Sequence, residues 1–312
     1  MSVVIVGATG ETGRSIVDGL VTSDVKYDIT ALIRPPSLEK PAVQSLKARG
    51  VKIIAADLQG SHNELVDILK GVDIVISTIH YQSLNDEIFL SNAAKAAGVQ
   101  RYLPCFWATV GPRGIMQLRD AKEQILDHIQ RLRLPYTVID VGWWYQIALP
   151  RVPSGRFDYG LLAPQNKIFG AGDVPFSLTD VRDGGKYAAK IISDPRTLNK
   201  KVFAFTEAMT QNQLSGLVEA MTGEKPEITK IPAVEVEAKV AEARKPGAGI
   251  NQALAEYEYY NSWGIRGDNT AECARYLGYL ILDDLYPGFK GRTLDKFIQE
   301  ILDGKATKVY SQ

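Results

Sequence analysis

The sequence predicts an α/β fold: a doubly wound parallel sheet with helices on both faces, and a smaller, mostly helical second lobe. Three observations lead there. Near the start of the chain four consecutive apolar residues, Val3 to Val6, run into glycines at 7, 10 and 13 and into a helical pattern. Strand-like and helix-like segments then alternate as far as Val141. At 312 residues the chain exceeds the usual size of one compact domain, so one large or two unequal lobes are expected.

Taken in order, the first helix covers residues 12–21 and the second strand 27–33, where Ile29, Ala31 and Ile33 alternate with polar or small residues up to Arg34-Pro35-Pro36. The third strand is 51–56, followed by Asp57, and the fourth is 73–78. Helical spacing of apolar residues fills 38–49 and 64–69 between them. The pattern continues with helix 86–97, strand 101–106, helix 115–132 and strand 136–141. Parallel strands need such crossovers, and right-handed crossovers put helices on both faces. Residues 142–178, rich in proline, glycine and aromatics, read as long loops and short irregular pieces. A helix at 180–192 and a strand at 202–206 return the chain to the first lobe. Thr210 is a candidate cap for a helix to Thr222, and 234–244, 252–263 and 293–302 are further helices. The first lobe is therefore 1–141 with 179–224, and the second 142–178 with 225–312.

Composition narrows the partners. Lys plus Arg equals Asp plus Glu at 36 each, so bulk electrostatics offer nothing to nucleic acid or a membrane surface, and a small molecule is the expected partner. Cys105 and Cys273 stand too far apart in sequence for a disulfide framework, and neither belongs to a metal-ligand cluster. No run approaches a membrane span and no leader precedes the first strand, so a cytoplasmic protein is expected. A homodimer is left open.

The glycine turn is the first candidate site. Glycines let the backbone turn sharply and approach a pyrophosphate, and the amides opening the next helix lie at the positive end of its dipole. A tight turn without ligand is the alternative. At the end of the second strand, where a dinucleotide's adenosine ribose lies, Arg34 would pair with a 2′-phosphate and so favours NADP over NAD, a solvated arginine at a strand end being the alternative, with Lys40 as a second phosphate partner or a surface residue. Asp57, Thr78 and His80 end or follow neighbouring strands, completing a cofactor set of Gly7, Thr9, Gly10, Glu11, Thr12, Gly13, Arg34, Lys40, Asp57, Thr78 and His80. For His80 a place in the pocket wall is the leading reading, with a direct catalytic role or ordinary packing as the alternatives, and His62 and His128 read as surface.

Lys122 is the most informative single residue. At about 100° per residue, Ile115, Leu118, Ile125, Leu126 and Ile129 all lie within about 60° of it, in the middle of an apolar stripe. An ammonium there needs a partner, a cavity or a lowered pKa, and functional lysines meet that description; a lysine snorkelling at the stripe's edge is the alternative. Trp143, Trp144 and Tyr145 follow the sixth strand, where open α/β sheets bind ligands, and read as a wall for a flat apolar substrate, joined by Phe106 and Trp107. Ordinary packing would account for one or two of them. Cys105, between apolar groups, reads as packing.

These residues resemble the NmrA-like group of atypical short-chain dehydrogenases, which includes isoflavone, pinoresinol and phenylcoumaran benzylic ether reductases. The resemblance runs end to end. Gly7-Ala8-Thr9-Gly10-Glu11-Thr12-Gly13 is similar to the group's glycine motif, Arg34 to its NADP-selecting arginine and Val75-Ile76-Ser77-Thr78 to its fourth strand. Arg101-Tyr102-Leu103-Pro104, Leu134-Pro135-Tyr136-Thr137 and Asp194-Pro195-Arg196-Thr197-Leu198-Asn199-Lys200 resemble later landmarks. The resemblance implies a Rossmann-type cofactor lobe and a lysine acid or base on the helix before the Pro-Tyr-Thr strand, the position of Lys122. The Tyr-x-x-x-Lys pair of classical short-chain dehydrogenases is absent, since Tyr187 and Lys190 are one residue out of register. Cys105-Phe106-Trp107-Ala108 stands where the plant reductases usually carry Ser-Glu-Phe-Gly, which separates the substrates while sparing the cofactor argument. The resemblance is nearest to fungal members associated with secondary metabolism. It implies an NADPH-dependent reductase that transfers hydride to a planar aromatic or polyketide-like molecule, of carbonyl, enone or quinone-methide type. The alternative is an NADP(H)-binding regulatory sensor without turnover.

Overall fold

Strand β1 (Ser2–Val6) lies at the centre of the main sheet, because both of its faces are apolar and both are covered. It pairs in parallel with β2 (Asp28–Ile33) on one side and β4 (Ile74–Ser77) on the other, and β3 (Lys52–Ala55) and β5 (Arg101–Leu103) complete the order β3-β2-β1-β4-β5. The computed structural model describes residues 1–162, 166–245, 252–307 and 309. The crossovers are α1 (Glu11–Val21), α2 (Pro41–Ala48), α3 (His62–Leu69), α4 (Asp86–Ala97) and α5 (Gln117–Arg131).

Side chains alternate along β1, and the two faces build the two halves of the first lobe's core. Val3 and Ile5 pack with Ile16 and Leu20 of α1 and Val43 and Leu46 of α2. Val4 and Val6 pack with Leu65 of α3, Leu90 and Ala94 of α4, and Ile125 and Ile129 of α5. The predicted doubly wound arrangement is present.

After β5 the sheet continues across a break. Tyr102 bridges Tyr136 in parallel, and β6 (Thr137–Asp140) pairs with β10 (Lys200–Phe203). The predicted loop region 142–178 instead holds β7 (Trp143–Trp144), the short helix α6 (Tyr145–Ala148), β8 (Lys167–Phe169) and β9 (Pro175–Thr179). Helix α7 (Gly184–Ile192) then packs on α1 in the first lobe. Beyond β10 come β11 (Glu207–Thr210), α8 (Gln211–Thr222), β12 (Thr229–Ile231), α9 (Ala233–Ala243) and α10 (Gln252–Tyr259), which widens into a π turn over Tyr260–Arg266. Thr210 caps α8 as the sequence suggests: its hydroxyl accepts the Gln213 amide, and the Gln213 side chain accepts the Thr210 amide in return.

Strands β7, β9 and β11 form a small mixed sheet, and β8 pairs with β12. With α8 and α13 (Leu294–Leu302) they enclose a second core around Tyr145, Phe169, Phe176, Trp263 and Phe297. Two stretches depart from the predicted division. Strand β11 and helix α8, expected in the first lobe as part of 179–224, pair and pack with the second, because β11 pairs with β9 and α8 turns Leu214 and Val218 into that core. A segment near 280 goes the other way. Following α11 (Ala271–Tyr276), β13 (Leu280–Ile281) pairs with β10 and so edges the first lobe's sheet before α12 (Leu282–Leu285). Two-residue strands carry no readable periodicity, so this one is invisible until β10 is in place. Among the described residues no helix is long and apolar enough to cross a membrane.

Candidate active site

A groove of about 390 Å³ runs over the carboxyl ends of β1, β2, β4 and β5, where strand order reverses about β1. Its floor is the glycine turn. Gly7 has φ +81°, and a Cβ there would lie 2.4 Å from the carbonyl oxygen of Thr78, so the turn and the β4 loop touch only because position 7 has no side chain. Thr78 is fastened from its own side, its amide donating to the Val6 carbonyl at 2.9 Å and its hydroxyl to the same oxygen at 2.8 Å. No side chain caps α1 at Gly10, which leaves its opening amides to the groove. This uncapped helix start and the glycine cradle fit a dinucleotide pyrophosphate.

The predicted cofactor residues Gly7, Thr9, Gly10, Glu11, Thr12, Arg34, Asp57, Thr78 and His80 all line this groove. Arg34 is exposed and forms no ion pair with a described residue, so its guanidinium is available to an anion. Two of the set stand outside the lining. Gly13 is a packing residue, where a Cβ would come within 2.2 Å of the Gly7 carbonyl oxygen, and exposed Lys40 begins α2.

Lys122, 7% exposed, also lines the groove, on the apolar face of α5 as its spacing predicts. Its Nζ donates to the Phe106 carbonyl. Burial pushes the ammonium below its usual pKa, opposed by the Cys105 sulfur and the carboxylates of Asp140 and Glu87, while Arg119 adds to the lowering. Cys105 lines the groove, but burial raises its thiol to about 12 and its S–H donates to the Ile79 carbonyl at 3.1 Å, so it is held as a neutral packing group.

The expected aromatic wall is only partly assembled. Trp144, Trp107 and Phe106 border the groove. Trp107 has a positive φ of 38° and its indole donates to the Ser77 carbonyl at 2.8 Å, pinning the β5 loop to β4; Phe106 is itself buried against Leu126 and Val138. Trp143 and Tyr145 do not join them. Neighbouring residues on a strand face opposite ways, so when Trp144 turns to the groove Trp143 turns into the second core, with its ring 5.4 Å from Tyr259 and 5.5 Å from Trp263. Tyr145 is fully buried in that core, bonded to Glu207 and stacked on Phe297. Tyr187 is also remote from the groove, its hydroxyl bonded to Thr206 in the interior.

One residue escaped the sequence reading. Glu87, on the first turn of α4, is 1% exposed and lies directly behind Cys105. A signal existed, since Leu90, Ser91 and Ala94 follow it at helical spacing and place a carboxylate in an apolar stripe, as Lys122 is placed.

Comparison with known proteins agrees with this architecture. The model of the NmrA-like family matches residues 1–298. The asnovolin J 5′,6′-dehydrogenase of Aspergillus novofumigatus is 48% identical over 314 residues, which cover 97% of this chain and 96% of that protein. The isoflavone reductase homolog P3 of Arabidopsis thaliana is 28% identical, covering 95% of this chain and 96% of its own. Among solved structures, the binary complex of leucoanthocyanidin reductase with NADPH from Vitis vinifera has a TM-score of 0.80 at 22% identity, over 97% of this chain and all of that one, a likeness of fold. With a family match over almost the whole length and a relative nearly half identical, the chain belongs to the NmrA-like family.

Proposed function

We propose that this protein is an NADPH-dependent oxidoreductase acting on a planar, aromatic or polyketide-like small molecule, with Lys122 as its acid or base. The observation that carries the reading is the groove itself, which is lined by both a glycine cradle and a buried lysine. Gly7, Gly10 and Thr12 would hold the pyrophosphate, Arg34 the 2′-phosphate, and Thr78 and His80 the wall near the reacting end. When bound, the dinucleotide supplies or accepts the hydride. Lys122, with one N–H given to Phe106 and a lowered pKa, can donate a proton to an oxygen that gains charge, or hydrogen-bond to it. Trp144 and Trp107 would exclude water beside a flat ring. The names of the relatives support this class: a dehydrogenase at 48% identity, and a structural neighbour solved as a binary complex of a reductase with NADPH.

Because that relative is called a dehydrogenase, both directions belong in the test. The purified protein should oxidise NADPH with at least one member of a panel of quinones, enones and aryl ketones, or reduce NADP⁺ with the corresponding hydroquinones, saturated ketones and alcohols. Lys122→Ala should keep NADPH affinity and lose roughly a hundredfold or more in kcat. Unchanged kcat would remove the lysine from the chemistry. Tight NADPH binding with no turnover on any compound, together with capture of a protein partner, would instead indicate a sensor.

A further inference from the structure

Lys122 is held by a relay of contacts that begins on another helix. The Glu87 Oε1 accepts the amide of Cys105 at 2.9 Å, and its Oε2 accepts the hydroxyl of Tyr102 at 3.1 Å. The carbonyl of the following residue, Phe106, accepts from the Lys122 amine. The path therefore crosses from α4, through the turn after β5, to α5.

Four groups on the elements around it act electrostatically on the Lys122 amine: Glu87 on α4, Cys105 after β5, Asp140 at the end of β6, and Arg119 one turn earlier on α5. Two of these are already committed. Asp140 is bound by Arg119 at 2.8 Å and by the Tyr279 hydroxyl at 2.7 Å, so its charge is matched. Cys105 stays a thiol. Glu87 forms no ion pair with a described residue, which leaves it as the unmatched carboxylate behind the lysine.

We propose that Glu87 is a positioning residue for Lys122: its carboxylate fixes the Cys105–Phe106 turn that presents the Phe106 carbonyl to the amine, and its charge favours the ammonium form. The inference rests on the reading of Lys122 as the groove's acid or base. Burial sets the Glu87 carboxyl to about 7, so its charge changes in the range where such chemistry runs.

The test uses the full chain with ¹³C-labelled lysine, assigning the Lys122 Cε signal by its loss in Lys122→Met. Glu87→Gln keeps an oxygen for the Cys105 amide but removes the charge, and Glu87→Asp restores the charge. In Glu87→Gln the Lys122 titration midpoint should fall by on the order of half a pH unit, and in Glu87→Asp it should return toward wild type. In the wild-type protein the Lys122 signal should also show a smaller step near pH 7 as Glu87 ionises, a readout that needs no variant to fold. Coincident midpoints in wild type and Glu87→Gln, or the absence of that step, would overturn the proposal. With NADPH and 9,10-phenanthrenequinone as the probe pair, Glu87→Gln should lower kcat roughly tenfold, leave the KM for NADPH unchanged and lose the acidic limb near pH 7. Failure of the wild type to turn over this and every other acceptor counts against the oxidoreductase reading, while the lysine titration still decides the role of Glu87.

Discussion

Lys122 and Glu87 are each a charge set into the apolar stripe of a helix, and each is explained only by what faces it across the sheet edge. The Glu87 carboxyl titrates near 4.5 when unfolded and about 7 when folded, because burial penalises its charge. Between those values the native state holds more protons than the unfolded one, so this group's contribution is full below 4.5 and is lost as pH rises through 7. Glu87→Gln is free of that loss. Urea unfolding should therefore show the variant gaining on wild type between pH 5 and pH 8, by up to about 3 kcal/mol. Arg34 presents the opposite case, an exposed and solvated cation with no described ion-pair partner. Arg34→Ala should weaken NADPH binding by roughly ten- to a hundredfold and NADH binding little, as read by calorimetric titration. Equal losses for the two dinucleotides would end the 2′-phosphate assignment.

Between elements, close approach and strand alternation decide what each segment can do. Helices α1 and α7 cross at bare backbone: a Cβ on Gly185 would lie 1.6 Å from the Ser15 carbonyl oxygen, and one on Gly19 would lie 2.1 Å from Gly185. Gly185→Ala must separate the two helices, and thermal melts should show a loss of roughly 3 kcal/mol or more, beyond the ordinary cost of overpacking. The aromatic run after β6 divides by the same geometry that divides any strand. Trp143→Ala should cost about 3–5 kcal/mol in urea unfolding while leaving dinucleotide binding intact, because its ring belongs to the second core. Trp144→Ala should cost less stability and instead raise the KM of whichever acceptor the protein reduces, because its ring borders the groove.

At the scale of the molecule, one buried network joins segments that are far apart in the chain. Arg119 binds Glu123 and Asp140, Tyr279 binds Asp140, and Lys201 reaches Glu123, so α5, β6, β10 and the approach to β13 are tied behind the site. Arg119→Met would leave Asp140 buried without its cation and should destabilise the fold by roughly 3–5 kcal/mol in urea unfolding. Much of the architecture was legible beforehand. The strand and helix order through Val141, the glycine turn, the Thr210 cap and the inward face of α5 all follow from periodicity or from chemistry within one or two turns of chain, and such signals survive without knowledge of the fold. The short strands β7 to β9, the return of Leu280–Ile281 to the first sheet, the division of Trp143 and Tyr145 from Trp144, and the meeting of Glu87 with Lys122 were not legible in that way. By itself, then, the sequence determined the doubly wound scaffold and most of the residues that line its groove, since each of those rests on local pattern. Only the tertiary structure decided which aromatics reach that groove and which carboxylate stands behind its lysine, because those contacts join residues distant in sequence and depend on how helices and strands are set against one another.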